Sequence, residues 1–396
     1  MKQKIGVVGL GRGFMAMGQS LRHHPDVALA AAADPSPEVR DRFSADFDLP
    51  TYESIEELCV QSDCDIVYIA SPHQFHRSHV LTAAASHKHI LLEKPIALTL
   101  ADCDAIIEAV DRAGVAMVVG HTHAFDPPVQ AMRQMIADGT YGKLRMINLW
   151  TYTDFLYRPR RPEELDTSAG GGILFNQLPH QMDIVRHVGG GLLKSVHARL
   201  GAWDDTRPTE GASVVMFEFQ DGCFGSMTYS GYAHFLTSEL NGGIGENGLQ
   251  VDDTRYGSAR RKLQELNDPD AEFLLKRGSG YAGKGLPDPS ANTLHPTFGT
   301  LIATCDRADI RHLPAGVGIY ADHCKTVQSV SLGRGSENRS SVVDELVDAI
   351  RSVAPPVHDG RWAKATLEAC LAVAKSNETG LPVSLEHQVA VSNDKH

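Results

Sequence analysis

Through the first third of the chain, short apolar runs alternate with stretches whose apolar positions recur at helical spacing. Lys4 to Gly9 reads as a buried strand and a helix follows from about Phe14 to His24; Val27 to Ala33 and Ile66 to Ala70 are further strand-like runs. Ser54 and Glu57 form a capping box for a short helix, and Ser71-Pro72-His73 ends the third run. A helix from about Gln74 to Ser86 leads into Ile90-Leu91-Leu92, which stops at Glu93-Lys94-Pro95. Thr99 caps a helix to about Ala113, and Val115 to Gly120 is one more apolar strand. Strands alternating with helices predict a doubly wound parallel sheet, whose ligands lie at the carboxyl ends of the strands. Proline holds the preceding residue in an extended conformation, so Lys94 is expected at such a strand mouth, unless the pair is simply a solvated strand end.

After residue 123 the pattern changes, and the reading divides the chain into domains 1–123 and 124–396. Asp126-Pro127-Pro128 is a helix-start signal. Leu144 to Tyr152, Ser195 to Leu200, Ser213 to Phe219 and Phe224 to Ser230 alternate as strands, the last two joined across Asp221-Gly222. Strands with few helices between them predict an open, largely antiparallel sheet with one covered face, an α+β domain. Ser258 to Lys276 reads as an inserted helix within a longer insertion over 236–290.

Composition narrows the partners. A chain of 396 residues supports two domains. A net charge of -12 without a basic block argues against nucleic acid, and it means that an anionic substrate needs a local basic pocket. The seven scattered cysteines contain no C-x-x-C pair, which fits buried thiols in a reducing cytoplasm. No apolar run reaches membrane-spanning length and no signal-peptide core follows Met1, so a cytoplasmic protein is expected.

The chemistry begins at Gly9-Leu10-Gly11-Arg12-Gly13-Phe14. Glycines at the first two positions of G-x-G-x-x-G allow a tight turn and close approach of a pyrophosphate to a helix N-terminus, although Phe14 occupies the third position. Asp34 follows about 20 residues on, where a carboxylate accepts the adenosine ribose hydroxyls and repels a 2′-phosphate, favouring NAD over NADP. In Gly170-Gly171-Gly172-Ile173-Leu174-Phe175-Asn176-Gln177-Leu178-Pro179-His180-Gln181-Met182-Asp183, one continuous helix would put Asn176, His180 and Asp183 on one face. By itself the pattern equally allows His180 to be a hydrogen-bonded interior histidine. Tyr157-Arg158-Pro159-Arg160-Arg161-Pro162 offers guanidinium groups for carboxylate recognition, or a solvated loop face. His121 and His123 resemble a metal pair but point to opposite faces of a strand, and no metal is expected.

In order and spacing, Gly9-Leu10-Gly11, Asp34, Ser71-Pro72-His73 with His76, Glu93-Lys94-Pro95 and Phe125-Asp126-Pro127 resemble the Gfo/Idh/MocA oxidoreductases. The resemblance implies a Rossmann domain with NAD against Gly9, Gly11, Arg12, Gly13, Phe14, Met15, Asp34, Ser71, Pro72, His73, His76, Glu93 and Lys94. It makes Lys94, His180 and Asn176 the catalytic set, with His180 as proton acceptor, and it places Asn176 where the family usually has Asp. The substrate would meet Lys94, Tyr157, Arg158, Arg160, Asn176 and His180. Segments 295–299, 305–309 and 358–362 are similar to the phthalate 4,5-cis-dihydrodiol dehydrogenase branch, which implies a carboxylated dihydrodiol substrate and a homodimer or homotetramer. The alternatives are a sugar or inositol dehydrogenase and a non-catalytic NAD-sensing regulator.

Overall fold

A computed structural model describes residues 2–120, 123–252, 254, 256–266, 269–287, 294–331 and 339–391. The first domain runs β1 (Gln3–Val8), α1 (Arg12–His23), β2 (Val27–Ala33), α2 (Pro37–Phe47), β3 (Thr51–Tyr52), α3 (Ile55–Gln61), β4 (Ile66–Ile69), α4 (His76–Ala85), β5 (His89–Glu93), α5 (Leu100–Ala113) and β6 (Met117–Gly120). Its six strands pair in parallel in the order β3-β2-β1-β4-β5-β6. Strand order reverses between β1 and β4, which opens a crevice above their carboxyl ends. The expected caps form: Ser54 accepts from the Glu57 amide at 3.2 Å and Thr99 from the Asp102 amide at 3.1 Å.

The second domain continues with α6 (Pro127–Ala137), β7 (Leu144–Tyr152), α7 (Gly172–Asn176), α8 (Leu178–Gly189), β8 (Leu193–Gly201), β9 (Ala212–Phe219) and β10 (Phe224–Ser230). The insertion supplies α9 (Ser258–Gln264), α10 (Pro269–Gly278) and α11 (Tyr281–Lys284), several short helices where the sequence suggested one. Then come β11 (Thr300–Cys305), β12 (Ala308–Leu313), β13 (Gly316–Ala321), β14 (Cys324–Ser329), α12 (Ser340–Ile350), α13 (Gly360–Thr379) and β15 (Val383–Ser384). The nine strands are ordered β14-β13-β12-β11-β7-β10-β9-β8-β15, antiparallel except for the β7–β10 pair.

Two returns of the chain knit the domains together. Val342, Val343, Leu346 and Val347 of α12 and Tyr281 of α11 are buried in one cluster with Ile5, Val7 and Phe14 of the first domain. A second cluster runs from Ile69 and Leu92 through Val373 of α13 to Ile147 and Val215 of the second sheet. No helix among the described residues is long and apolar enough to cross a membrane. Six cysteines are buried and Cys324 is exposed.

Candidate active site

Gly9 takes φ +92, a conformation costly for other residues, and a Cβ there would lie 2.8 Å from the Ser71 amide nitrogen. Helix α1 then starts at Arg12, two residues earlier than its apolar pattern suggested. A Cβ at Gly11 would meet nothing within 4 Å, so the space above the turn is open at the helix N-terminus, as a pyrophosphate requires. The close helix-to-strand contact passes to Gly13, whose Cβ would sit 3.1 Å from Ala70 Cβ and 3.2 Å from Glu93 Cγ. Phe14 does not line this space. It is fully buried, with its ring 5.8 Å from Phe43 and 5.1 Å from Tyr281, so its expected role toward the cofactor gives way to core packing. Met15 packs beside the same cluster.

Asp34 ties the turn to the end of β2. Its carboxylate accepts from the amides of Leu10 and Ser36, both at 2.9 Å, and Arg40 Nη1 donates to its main-chain carbonyl at 2.6 Å. Glycine turn, open helix end and strand-end carboxylate together fit NAD.

At the β4 and β5 mouths, Ser71 Oγ lies 2.9 Å from His79 Nδ1. His76 is fully buried, with its ring nitrogens 2.8 Å from the Pro95 carbonyl and 3.0 Å from the Ser71 carbonyl. It joins the two loops from beneath, which corrects its expected contact with the cofactor: its influence goes through Ser71, Pro72 and Pro95. Glu93 accepts from Tyr68 Oη at 2.6 Å below Gly13. His73 is kept neutral: burial, with His76 and Lys94 nearby, pushes its pKa down to about 3.

Lys94 reaches across to the second domain. Its Nζ donates to the Asn176 carbonyl at 2.8 Å, at the C-terminal end of α7 where a cation is favoured. Burial pushes the Lys94 ammonium down to about 8, against the pull of Glu93, and Arg160 adds to the depression. The expected single helix does not form, because Gln177 (φ -121, ψ -43) breaks it and Pro179 sits in the first turn of α8. Asn176 therefore ends α7 while His180 belongs to α8. Asn176 Nδ2 donates to the Gly172 carbonyl at 2.8 Å and the Gly170 carbonyl at 3.3 Å, bonds that an aspartate could not donate. The half-buried His180 ring lies 5.0 Å from His123 and 5.1 Å from Phe298. His123 lies 3.2 Å from Asp126 and stacks on Phe298, while His121 is outside the described residues. Asp183 turns away from the cleft and accepts from Trp362 Nε1 at 2.5 Å, which corrects its expected place on the His180 face.

One guanidinium of the arginine loop is already engaged by carboxylates. Arg158 meets Glu246 through Nη2 at 3.0 Å and Nη1 at 3.4 Å, and Asp154 through Nε at 2.9 Å, so it has no guanidinium edge left for a substrate. Tyr157 Oη donates to Asp204 at 2.8 Å beside a cavity of about 750 Å³ whose lining, including Trp203 and Phe235, contains neither Lys94 nor His180. These two positions depart from the expected substrate contacts; Arg160 remains. The sequence pattern points to His123 only as half of a metal-like pair, to Phe298 only within the segment 295–299 and to Lys276 only as the end of an inserted helix, while Glu246 stands as an isolated acid after the glycine-rich run Gly242-Gly243-Ile244-Gly245.

Residues 3–121 match the NAD-binding Rossmann fold of the Gfo/Idh/MocA oxidoreductases, and residues 129–244 match the Gfo/Idh/MocA C-terminal domain. The chain is 40% identical over 386 residues, 96% of each protein, to 1-carboxy-3-chloro-3,4-dihydroxycyclo hexa-1,5-diene dehydrogenase of Comamonas testosteroni. The chain belongs to the Gfo/Idh/MocA family. The crystal structure of a putative dehydrogenase from Bordetella bronchiseptica superposes with a TM-score of 0.92 at 43% identity, covering 97% of this chain and 100% of that one. Myo-inositol 2-dehydrogenase of Thermotoga maritima is 27% identical over 56% of this chain and 66% of its own length. As a Gfo/Idh/MocA protein the chain is an NAD-binding oxidoreductase.

Proposed function

We propose that the protein oxidises a carboxylated cyclic cis-dihydrodiol to the corresponding catechol, with phthalate 4,5-cis-dihydrodiol and its product 4,5-dihydroxyphthalate as the leading pair. The observation that carries this reading is the junction of α7 and α8. Lys94 from the first domain ends on the carbonyl of Asn176, four residues before His180 in the first turn of the next helix. The relative of similar length named for a carboxylated dihydroxycyclohexadiene supports the substrate class.

NAD held at the Gly9–Gly11 turn with Asp34 would supply the two-electron acceptor for the carbinol carbon's hydride. His180 removes the hydroxyl proton, and the Lys94 ammonium stabilises the negative charge that develops on that oxygen. Oxidation of one carbinol leaves an enone that tautomerises to the aromatic catechol, which makes the step strongly downhill. Phe298 and the buried His123 limit access of water to the His180 side of the site.

The test is NADH formation over a panel of cis-dihydrodiols, with and without ring carboxylates, and of cyclic polyols. Turnover highest on carboxylated dihydrodiols is expected. Polyol turnover alone would instead favour an inositol-type activity, and NAD binding without turnover on any of them would favour a regulator.

A further inference from the structure

The inserted helices cross over the arginine loop and reach the first domain. Glu272 of α10 accepts from the Arg160 amide at 2.7 Å and from Arg207 Nη1 at 2.9 Å, and Lys276 Nζ donates to Glu164 Oε1 at 2.9 Å. Beyond them Arg277 pairs with Glu38, and Tyr281 Oη donates to Asp46 at 2.8 Å.

Charge along this crossing is unevenly compensated. Arg158 is met by Asp154 and Glu246, Arg207 by Glu272, and Arg161 has Glu163 at 3.2 Å. Arg160 and Lys276 have only Glu164 between them among the described residues, at 3.6 and 2.9 Å, and Arg161 draws on the same carboxylate at 3.4 Å. The side chains of Arg160 and Lys276 are only 9% and 12% exposed. Two nearly buried cations on one carboxylate are costly unless an anion from outside completes the set. The Arg160 guanidinium lies over the Phe155 ring at 3.7 Å with Nη2 on the Phe155 carbonyl at 2.7 Å, and its Nε is buried without a partner. Burial lowers Lys276 to about 8 and Arg160 to about 10, with Arg12 of the glycine turn adding to both shifts. Burial opposes ionisation of Glu164, yet Lys276 and Arg160 hold it down at about 2. The charge of Arg160 also reaches Lys94.

We infer that Arg160 and Lys276 form the subsite for the substrate's carboxylate, so that the inserted helix α10 supplies half of a pair that the arginine loop lacks. This rests on the dihydrodiol reading. It moves carboxylate recognition away from Arg158 and gives the insertion a role in substrate selection.

Benzoate is titrated calorimetrically into the enzyme–NADH complex of the wild type, Lys276→Gln and Lys276→Arg, and NADH affinity is measured for each. The expected result is benzoate binding in the wild type, weakened about tenfold or more in Lys276→Gln, as for loss of a charged hydrogen bond. Lys276→Arg should retain it, with NADH affinity equal in all three. In turnover, Lys276→Gln should raise KM for a carboxylated dihydrodiol by a similar factor, leave kcat nearly unchanged and spare an uncarboxylated one. Absence of benzoate binding in the wild type, or equal binding in Lys276→Gln, overturns the subsite. A loss of NADH affinity also overturns it, by assigning the pair to the cofactor's phosphates. If the wild type oxidises no dihydrodiol but binds benzoate through Lys276, the functional reading fails and the subsite stands.

Discussion

Lys94 joins the two domains through a single charged hydrogen bond, and its ionisation should limit activity on the alkaline side. Its pKa is lowered to about 8, so the ammonium is present below that pH and lost as pH rises through it. The pH profile of kcat/KM should therefore fall above about 8, and Lys94→Arg, which stays charged, should remove that limb while lowering the rate through misplaced donors. Lys94→Ala should cut turnover by about 10²–10³, the usual effect of deleting one transition-state donor, while NADH still binds. An alkaline limb unchanged in Lys94→Arg would refute the role. The position of Lys94 was legible because a strand, a charge and a proline in succession leave the backbone little choice. The partners of Arg158 were not, because Glu246 lies 88 residues away and no local pattern reports so distant an ion pair. Asn176 shows the same limit: its amide is plain in the chain, but only the fold shows it donating back to Gly170 and Gly172 at the start of its own helix.

At the scale of elements, the strand and helix alternation and the caps were readable from local periodicity, whereas the break between α7 and α8 was not read although Pro179 signalled it. That break separates His180 from Asn176 and lets the far side of α8 anchor elsewhere. His358, just before α13, is fully buried between Glu345 of α12, 3.0 Å away, and Asp183 of α8, 3.6 Å away. Arg186, the stacked ring of His187, the Phe125 ring at 4.0 Å and Trp362 also surround it. Burial opposes its charge, but Glu345 and Asp183 outweigh it and raise the pKa above the ordinary 6.5. A raised folded-state pKa gives stability that is complete below about 6.5 and fades as pH climbs through the folded value. Thermal unfolding followed by circular dichroism should show Tm declining over that range. His358→Gln should flatten the decline and cost roughly 3 kcal/mol at low pH, since it removes the buried cation that faces Glu345 and Asp183. An equally steep decline in the variant would place the titrating group elsewhere.

Across the whole molecule, helices α6, α8 and α13 pack on one face of the nine-stranded sheet, and on its more open face the segment 235–241 covers the part beside Trp150 and Arg311. Strand register puts Trp150, Val214, Met216 and Phe224 on that open face, and each is more than 40% exposed. Tyr320 and Val327 extend it along β13 and β14. Large apolar side chains gathered on one flat surface are costly in water and mark a contact surface. Antiparallel strands allow the same surface to face its own copy across a two-fold axis. The homo-oligomer expected from the family resemblance should therefore form here. Met216→Glu places a charge at the middle of the face on an otherwise unstrained strand, so folding should survive while assembly fails. Light scattering should give a multiple of the 42.9 kDa chain mass for the wild type and the single-chain mass for the variant, with circular dichroism unchanged. A variant that keeps the wild-type mass would show that copies meet through another surface. Since Lys94, His180 and Arg160 all belong to one chain on the cleft side, a folded Met216→Glu monomer should retain NAD binding, and so separate assembly from the nucleotide site.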